Sequence, residues 1–511
     1  MESEYGTHVR GQGIAVLGAE TPGSPTGQGP VPVIRTDVEL RPDARRVIVK
    51  PFLPSEQIFP DGGLLRRVID LTEEEVAASL AEVIARFEGR HRDLTAILES
   101  HFRYVAAEAG ELPEMSPDRR LLIGAYYTHE FSIEAAALTN PSIVPAPDQS
   151  GLEPGTRRFI ISLRGIGEGH ISSIEFRSGV IDAGGAIAMD EVGRSAVAGS
   201  RVPPVFDWEE FLAELAEMGA LNRTARSLMG SLPDPFGLDE LEAAVVKAEG
   251  TRSVRHLSDK TSRVVHWLAT SSYETSFPTE SEISERVIFP GSVIESHGLE
   301  DARFVRFTDD DGSVTYYATY TAYDGFQVLP QLIETADFVS FRIFTLSGAC
   351  AQNKGAALFP RKIDGRFVAL SRFDAENNYV MHSDSLRVWD EAVKIESPEL
   401  AWDLARIGNC GSPLETEAGW LVITHGVGPM RTYSLGAILL DIDDPSRMIG
   451  RLQEPLLVPS EMERDGYVPN VVYSCGSMIH GSELILPYGV SDRATRIARV
   501  PLEALLARLT G

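Results

Sequence analysis

The feature that most constrains the fold of this chain is a short strand segment that recurs along it. Each copy places an apolar strand after a Gly- or Asp-rich turn and finishes on a polar residue. The first large apolar residues of the five copies are Phe159, Tyr316, Phe367, Trp420 and Leu484. The last four are 51, 53 and 64 residues apart, and the long gap before them holds a helical stretch. A recurrence of this length, with several strands per unit, is typical of propeller blades, so five copies predict five blades.

Composition and periodicity divide the chain into four parts. Residues 1–38 are rich in Gly, Pro, Thr and Ser without an apolar period, which predicts a flexible leader. Residues 39–135 carry helical spacing, with a capping box expected at Thr72 and Glu75. Residues 136–502 are expected to form the catalytic domain, with a helical insertion at about 207–262, and residues 503–511 a C-terminal helix. The predicted class is therefore mainly β, a five-bladed β-propeller with an N-terminal helical region and a helical insertion.

Charge and composition narrow the classes of partner. The chain has 47 Lys and Arg against 74 Asp and Glu, a formal net charge of −27, which argues against nucleic acid as a partner. No run of eighteen apolar residues predicts a membrane span, and acidic residues stand where a signal peptide needs basic ones. Three widely spaced cysteines fit neither a disulfide framework nor a C-x-x-C metal site. We expect a soluble, cytoplasmic protein that holds no metal and no cofactor.

Polar residues at the strand ends predict a shared site. Blades converge on one axis, so residues that leave equivalent strands at the same level point into one cavity. The residues at these ends are Arg164, Tyr323, Asp324, Arg372, His425, Tyr488 and Asp492, and a neighbouring turn adds Glu300, Asp301 and Arg303. Several basic groups in an acidic chain predict a local anion site, while aromatic rings beside carboxylates are typical of sugar sites. The residues alone favour a carbohydrate-active enzyme that also handles phosphate.

Five strings in sequence order carry a resemblance to a known family. They are GLEDARF from Gly298, YTAYDG from Tyr320, NKGAALFP from Asn353, GSPLETEAGWLVITHGVG from Gly411 and LPYGVSD from Leu486. Together they resemble glycoside hydrolase family 130, five-bladed propellers that include β-mannoside phosphorylases and some β-mannosidases. The resemblance covers roughly Asn140 to Leu502, apart from the helical insertion.

The resemblance implies an inverting phosphorolysis of β-mannosides that gives α-mannose 1-phosphate. Inorganic phosphate is then the co-substrate and a β-mannoside oligosaccharide the other partner. Asp324 matches the family's general acid, which acts on the glycosidic oxygen through a hydroxyl of the mannosyl ring. The residues matching the phosphate site are Arg303, Lys354, Arg372 and His425. The expected substrate-binding residues are Asn140, Ser142, Arg164, Asp301, Tyr323, Tyr488 and Asp492, with no metal ligand.

Several alternatives remain open at this point, because two residues depart from the family's pattern. Ala302 stands where the family usually has Pro, and Gly355 stands where some phosphorylases carry a polar residue. A β-mannosidase on the same scaffold would use Glu300 or Glu415 as the base, and a glycan-binding propeller would cleave no bond. Asp324 precedes a glycine and also fits a simple turn, and a lone histidine such as His425 fits a hydrogen-bonded core position. The helical segments fit either a cap over the cavity or a homo-oligomer interface.

Overall fold

The described chain begins with strands and helices that precede the main β-structure. A computed structural model describes residues 30–52, 63–202, 205–251 and 259–511, and residues 31–511 form one compact unit. The first elements are β1 (Ile34–Leu40), β2 (Val47–Pro51), α1 (Gly63–Ile69), α2 (Glu73–Phe87), α3 (Leu94–Ala109), α4 (Pro117–Tyr126) and β3 (Thr128–Ser132). Residues 1–29 of the predicted leader lie outside the described residues. The predicted end of the leader at residue 38 is wrong, because Ile34–Leu40 pairs within a sheet.

Local sequence explains where the N-terminal helices start. The hydroxyl of Thr72 accepts the Glu75 N–H at 3.3 Å, and the Glu75 carboxylate accepts the Thr72 N–H at 2.8 Å. This is the capping box predicted from the sequence. The side chains of Asp93 and Ser116 cap α3 and α4, each accepting an N–H of the first helical turn. The helices share a core that includes Leu65, Val68, Val76, Phe102, Val105, Leu122 and Ile123.

The first antiparallel meander follows and is then interrupted. Its strands are β4 (Ala137–Pro145), β5 (Arg157–Ile166), β6 (Ser172–Ile181) and β7 (Ile187–Met189). The interrupting segment contains β8 (Val197–Ala198), β9 (Ser200–Val202), β10 (Val205–Phe206), α5 (Trp208–Glu217), α6 (Arg223–Met229), β11 (Phe236–Gly237), α7 (Leu238–Glu249), α8 (Lys260–Ser271), β12 (Tyr273–Ser276) and β13 (Arg286–Ile288). Its helices enclose their own core. The helical insertion therefore ends at Ser271, beyond the predicted boundary near 262.

Four more meanders complete the chain. The second is β14 (Gly298–Thr308), β15 (Val314–Tyr323), β16 (Val328–Thr335) and β17 (Ser340–Thr345); the third is β18 (Ala357–Leu358), β19 (Phe367–Ser371), β20 (Asn378–Ser383) and β21 (Glu391–Glu396). The fourth is β22 (Arg406–Asn409), β23 (Leu414–Thr416), β24 (Gly419–Val427), β25 (Tyr433–Leu440) and β26 (Met448–Arg451). The fifth is β27 (Val472–Tyr473), β28 (Met478–His480), β29 (Glu483–Val490) and β30 (Ala494–Pro501), followed by α9 (Leu502–Thr510). Within the described ranges, no helix has the length and apolarity needed to cross a bilayer.

The recurring sequence segment falls on the same strand of every meander. Its five copies lie on β5, β15, β19, β24 and β29, each of which is second in the hydrogen-bonding order of its meander, and every copy pairs antiparallel on both sides. The fifth meander receives its outer strand from the start of the described chain. There, β1 pairs antiparallel with β30, with Ile34 opposite Arg499 and Leu40 opposite Thr495. The N-terminal strand thus completes the C-terminal meander.

Each meander buries both of its faces against neighbouring meanders, because side chains of a strand alternate between the two faces. On β24, Trp420 and Val422 join a core shared with the third meander, whereas Leu421 and Ile423 join a core shared with the fifth. Similar cores join the first meander to the second, the second to the third, and the fifth back to the first. The mainly β class is confirmed, and the five meanders pack in a cyclic order.

A buried carboxylate fastens β1 to the fifth meander. Glu463 accepts hydrogen bonds from the Arg35 guanidinium at 3.0 Å and 3.1 Å, from the Tyr488 hydroxyl at 2.7 Å and from the Ser460 N–H at 2.9 Å. Burial raises the pKa of the Glu463 carboxyl, but the hydrogen bonds from Arg35, Ser460 and Tyr488 outweigh it and hold the pKa at about 2. The ionised carboxylate is therefore the form that the fold stabilises.

We predict that Glu463→Gln reduces the acid sensitivity of the fold. The folded-state pKa lies below the unfolded value of about 4.3, so this stabilisation is present above about pH 4.3 and is lost as the pH falls toward about 2. Between these limits, the free energy of unfolding of the wild type should fall by about 2–3 kcal/mol more than that of the variant. Urea denaturation at a series of pH values measures the difference. Glu461→Gln, at an exposed position nearby, is the control, and parallel curves for wild type and Glu463→Gln would contradict the prediction.

Candidate functional site

A cavity of about 330 Å³ lies where strands and turns of all five meanders meet. Its walls include seven of the residues singled out from the sequence: Asn140, Arg164, Asp301, Lys354, Arg372, His425 and Asp492. They also include Asn353, Ala375, Arg406, Arg431, Tyr433, Val468, Val471 and Tyr473. Residues separated by up to 352 positions in the sequence, Asn140 and Asp492, therefore share one cavity. The sequence expectation of a shared polar site agrees with this placement.

Paired irregularities in two strands direct Asn140 and Asp301 into the cavity. The pairing register shifts between Thr139 and Ser142 on β4 and between Glu300 and Arg303 on β14, and both Asn140 and Asp301 adopt left-handed backbone conformations. Such bulges re-aim a side chain out of the regular alternation. The Asn140 amide donates to the Asp301 carboxylate. Burial raises the pKa of Asp301, but the positive charges of Lys354, Arg164 and Arg303 outweigh it, so the pKa is lowered and the group is an anion.

Glu300 lies beside this pair and forms ion pairs with two cations at once. One carboxylate oxygen accepts from the Arg164 guanidinium at 2.6 Å, and the other pairs with the Lys354 ammonium. Among the described residues, Arg303 forms no ion pair with Glu300, although both lie on β14. The Lys354 side chain is only one-third exposed, so solvent reaches it only in part.

Arg303 is buried behind the cavity wall and does not line it. Its guanidinium donates to the carbonyl oxygens of Gly355 and Asn409, both at 3.1 Å, and to the Tyr473 hydroxyl at 3.0 Å. Gly355 has φ +100°, a left-handed conformation that disfavours any side chain at this position. Arg303 therefore shapes the wall that an anion would contact instead of facing the anion itself.

The Arg372 and His425 side chains form a contact at the inner wall. The Arg372 guanidinium approaches the His425 Nε2 at 3.2 Å, and the His425 Nδ1 lies 3.6 Å from the Cys410 sulfur. Burial lowers the pKa of His425 well below its usual value, and Arg372, Arg303 and Arg406 lower it further. His425 is therefore neutral, with Nε2 accepting from Arg372. Its role in this geometry is to orient Arg372, whose Nε has no hydrogen-bond partner among the described residues.

Asp492 is the carboxyl group of the cavity with the most perturbed protonation. It follows Ser491 in a turn where both residues are left-handed, with φ 47° each, and this turn places it at the cavity wall. Burial raises the pKa of Asp492 to about 6, although the nearby Arg164 and Arg431 act in the opposite direction. Asp492 therefore changes charge close to neutral pH.

Two arginines of the cavity wall escaped sequence reasoning. Arg406 opens β22, a first strand, whereas the sequence search followed the ends of second strands. Arg431 does follow a second strand, after the turn Gly428-Pro429. That position could have identified it as a site residue from the sequence. Neither side chain has a hydrogen bond or ion pair to the described part of the chain. They add two uncompensated positive charges to the cavity.

Besides Arg303, the structure places four predicted residues away from the cavity walls. Ser142 is fully buried and its hydroxyl accepts the Phe304 N–H, while Tyr488 lies in the core between the fourth and fifth meanders with its hydroxyl on Glu463. Tyr323 donates to the Gly325 carbonyl. Asp324 caps its own turn, accepting the Phe326 and Gln327 N–H groups at 2.8 Å and 2.7 Å through one oxygen, as the simple turn interpretation expects. These backbone hydrogen bonds lower the pKa of Asp324.

The alternative base Glu415 lies elsewhere. Its carboxylate forms a two-pronged ion pair with Arg361, and both residues line a separate cavity beside Ile143 and Met478. Of the two carboxylates expected for a hydrolase, only Glu300 is near the candidate site, where both of its oxygens are already paired. Within the described residues, no group of three or more His, Cys, Asp or Glu side chains is arranged to hold a metal ion.

The chain is similar to known proteins over part of its length. Residues 256–510 match the model of glycoside hydrolase family 130, described as beta-1,4-mannooligosaccharide phosphorylase. A 1,2-beta-oligomannan phosphorylase of Thermoanaerobacter sp. strain X514 is 37% identical over 209 residues, which are 40% of this chain and 68% of that protein. A beta-1,2-mannobiose phosphorylase of Listeria innocua is 29% identical over 231 residues, or 43% of this chain and 63% of that protein.

A solved structure also aligns with part of this chain. The beta-1,2-mannobiose phosphorylase from Listeria innocua, in complex with beta-1,2-mannobiose, covers 74% of this chain and 93% of its own, with 20% identity and a TM-score of 0.45. The expectation of an enzyme of the glycoside phosphorylase type is confirmed by the family model and the curated relatives. These matches show that the chain belongs to glycoside hydrolase family 130.

Proposed function

We propose that this protein cleaves β-mannosides by phosphorolysis with inversion, releasing α-mannose 1-phosphate. The observation that carries the proposal is the pair of guanidiniums, Arg372 and Arg406, that share a cavity with the Asn140–Asp301 pair and have no carboxylate partner in the described chain. Unpaired guanidiniums in a confined site suit a phosphate dianion. The amide and carboxylate beside them suit sugar hydroxyls. The names of the curated relatives support the same reaction class.

The architecture proposed for this reaction is a five-bladed propeller in which each meander is one blade. Support comes from the cyclic packing of the meanders and from the contribution of all five to one cavity. In this architecture the cavity on the common axis would hold phosphate and saccharide in line for the reaction. Holding two reactants in the right geometry removes the entropic cost of bringing them together.

In the proposed phosphate site, Arg372 and Arg406 contact the anion directly. Lys354 completes the site, and because it is paired with Glu300 in this structure, it exchanges part of that ion pair for the phosphate. Neutral His425 keeps Arg372 in place through Nε2, and buried Arg303 fixes the Gly355 and Asn409 backbones behind it. A phosphate oxygen is then held for attack on the anomeric carbon.

In the proposed sugar site, Asn140, Asp301, Arg164 and Asp492 bind the mannosyl unit. The attacking phosphate oxygen forms a bond to C1 while the bond from C1 to the glycosidic oxygen breaks, which converts the β-linkage to an α-phosphate. Asp324 is the proposed acid. One of its oxygens is engaged by the Phe326 and Gln327 N–H groups, which lower the pKa of the carboxyl, so the role of acid requires the other oxygen to be protonated in the complex with the saccharide. The proton passes to a mannosyl hydroxyl, whose own proton goes to the leaving oxygen.

The experiment that tests the reaction is product analysis of the purified protein on β-1,2- and β-1,4-linked manno-oligosaccharides, with and without inorganic phosphate. Mannose 1-phosphate that forms only with phosphate is the expected result. Free mannose at a rate indifferent to phosphate would replace the proposal with a hydrolase. Saccharide binding without any cleavage would replace it with a glycan-binding protein.

We predict that Asp324→Asn lowers kcat by at least about 1000-fold while mannoside binding stays within about threefold, because general acid catalysis is removed and the sugar contacts remain. Kinetics and calorimetry on the same preparation measure the two effects. Asp337→Asn is the matched control, since one Asp337 oxygen accepts the Val339 and Ser340 N–H groups in an equivalent turn away from the cavity. An equal loss in both variants would mean that Asp324 serves only the turn.

We predict that Asp492→Asn removes a pH dependence of the mannoside KM centred near pH 6. As the pH rises through about 6, the wild-type carboxyl ionises and becomes a stronger acceptor for sugar hydroxyls, so KM falls. The folded pKa lies above the unfolded value of about 3.9. The contribution of Asp492 to the free energy of unfolding therefore falls as the pH rises from about 3.9 to about 6. The asparagine variant should show neither trend in initial rates or in urea denaturation. A pH profile identical to that of the wild type would contradict the assignment.

A further inference from the structure

The turn between β24 and β25 holds Arg431 in an unusual backbone conformation. Met430 and Arg431 are both left-handed, with φ 56° and 55°. Two successive non-glycine residues in this region are costly, of order 1–3 kcal/mol each, and such strain is found mainly where a residue is held for binding or switching. Here it holds the Arg431 side chain on the cavity wall, while Met430 is 89% exposed.

Arg431 has a free guanidinium at this position. In the part of the chain that the structure describes, it makes no hydrogen bond and no ion pair. Arg431 acts electrostatically on Asp492, which lies on the equivalent turn of the adjoining fifth meander. Asp492 is proposed above to bind the mannosyl unit, and Arg431, unlike Asp492, has an exposed side chain. Arg431 therefore lies beside the saccharide on its solvent side, where the leaving sugar extends. Arg406 instead acts on Arg372 and His425, on the side of the phosphate.

The charges of the cavity do not balance with phosphate alone. Six cationic side chains surround it: Arg164, Arg303, Lys354, Arg372, Arg406 and Arg431. Three carboxylates oppose them, Asp301, Asp492 and Glu300, and His425 is neutral. A phosphate dianion neutralises two of the three surplus charges. One positive charge remains. Arg406 and Arg431 are both exposed and both lack a hydrogen-bond or ion-pair partner in the described chain, but only Arg431 acts on Asp492 and not on Arg372 or His425.

We infer that Arg431 binds an anionic substituent on the saccharide, a phosphate or carboxylate group on the sugar that leaves in phosphorolysis. The inference rests on the proposed function for the identity of that sugar. A guanidinium offers two parallel N–H donors to either kind of group. In a chain with a net charge of −27, an anionic saccharide is repelled over most of the surface and attracted only at this cavity. The substrate class is thereby narrowed to β-mannosides whose acceptor sugar is acidic.

The first test measures binding and does not depend on turnover. The protein is saturated with inorganic phosphate, so that a sugar phosphate gains nothing by entering the phosphate site, and is titrated with mannose 6-phosphate, mannose, glucuronate and glucose. We expect at least one anionic sugar to bind about tenfold more tightly than its neutral counterpart. Preference for the phosphate or for the carboxylate identifies the substituent. Equal affinities of both anionic sugars and their neutral counterparts would overturn the inference.

Variants assign the preference to one side chain. Arg431→Gln should abolish the preference and leave the affinity for neutral sugars within about twofold, while Arg431→Lys should retain part of it, because the charge remains and the fork geometry is lost. Arg493→Gln is the matched control: Arg493 adjoins Asp492 in the same turn, is exposed and does not line the cavity. If the preference for anionic sugars survives in Arg431→Gln, or is lost equally in Arg493→Gln, it arises from general charge attraction and Arg431 is not the binding residue.

The second test separates this inference from the proposed function. With α-mannose 1-phosphate as donor, release of phosphate is followed for the same four sugars as acceptors. If mannose or glucose accepts the mannosyl group at least as fast as the anionic sugars do, the reaction is confirmed but the role of Arg431 is overturned. An anionic preference in binding, together with no transfer to any of the four sugars, retains the Arg431 site and counts against the reaction.

Discussion

The arrangement of the site depends on a single buried guanidinium. Arg303 on β14 reaches the backbone just before β18, the end of β22 and a tyrosine of β27, so it contacts the third, fourth and fifth meanders. Two residues earlier, Asp301 accepts from Asn140 of the first meander. The bulge between Glu300 and Arg303 makes this possible, because it turns neighbouring side chains of one strand toward different partners. The planar guanidinium holds its donors in a fixed fork, and here two of its nitrogens reach the three acceptors in three different meanders.

Electrostatics follows from that geometry. A buried cation without a hydrogen-bonded carboxylate is costly, and here Asp301 lies close enough for Arg303 to lower its pKa. The same concentration of positive charge keeps His425 neutral. Glu300 shares its charge between Arg164 and Lys354, which leaves Arg372, Arg406 and Arg431 uncompensated. The protein as a whole is strongly acidic, so anion binding is a property of this one cavity and not of the surface.

Much of this organisation could be predicted from the sequence, and the failures have physical causes. The five recurring strands identify the second strand of each meander because a strand that is buried on both faces needs a nearly continuous run of apolar residues. That pattern does not show which face a residue takes, and Tyr488, near the end of one such strand, points to the core beside Leu484 and Leu486. The sequence predicts Ser142 and Arg303 as site residues. It cannot show that they lie behind the cavity wall, since burial depends on tertiary packing. Arg406 and Arg431 lie on a first strand and a strained turn, where no pattern points inward.

The helical segments occupy the edge of the β-structure and leave the cavity open. Among the described residues, every wall of the cavity comes from the meanders. The insertion instead extends the second meander: β12 pairs with β17, and β9 pairs with β12. Its helix α5 then reaches the third meander, where Ser385 bonds to Glu217 and Arg387 pairs with Glu214. An exposed strand edge invites pairing with another chain, and very short edge strands reduce that risk. The insertion covers β17 and leaves the three-residue β9 as the edge of the sheet, which is a physical role that requires no part in the cavity. In the proposal above, acceptor selection belongs to the turns that carry Arg431 and Asp492.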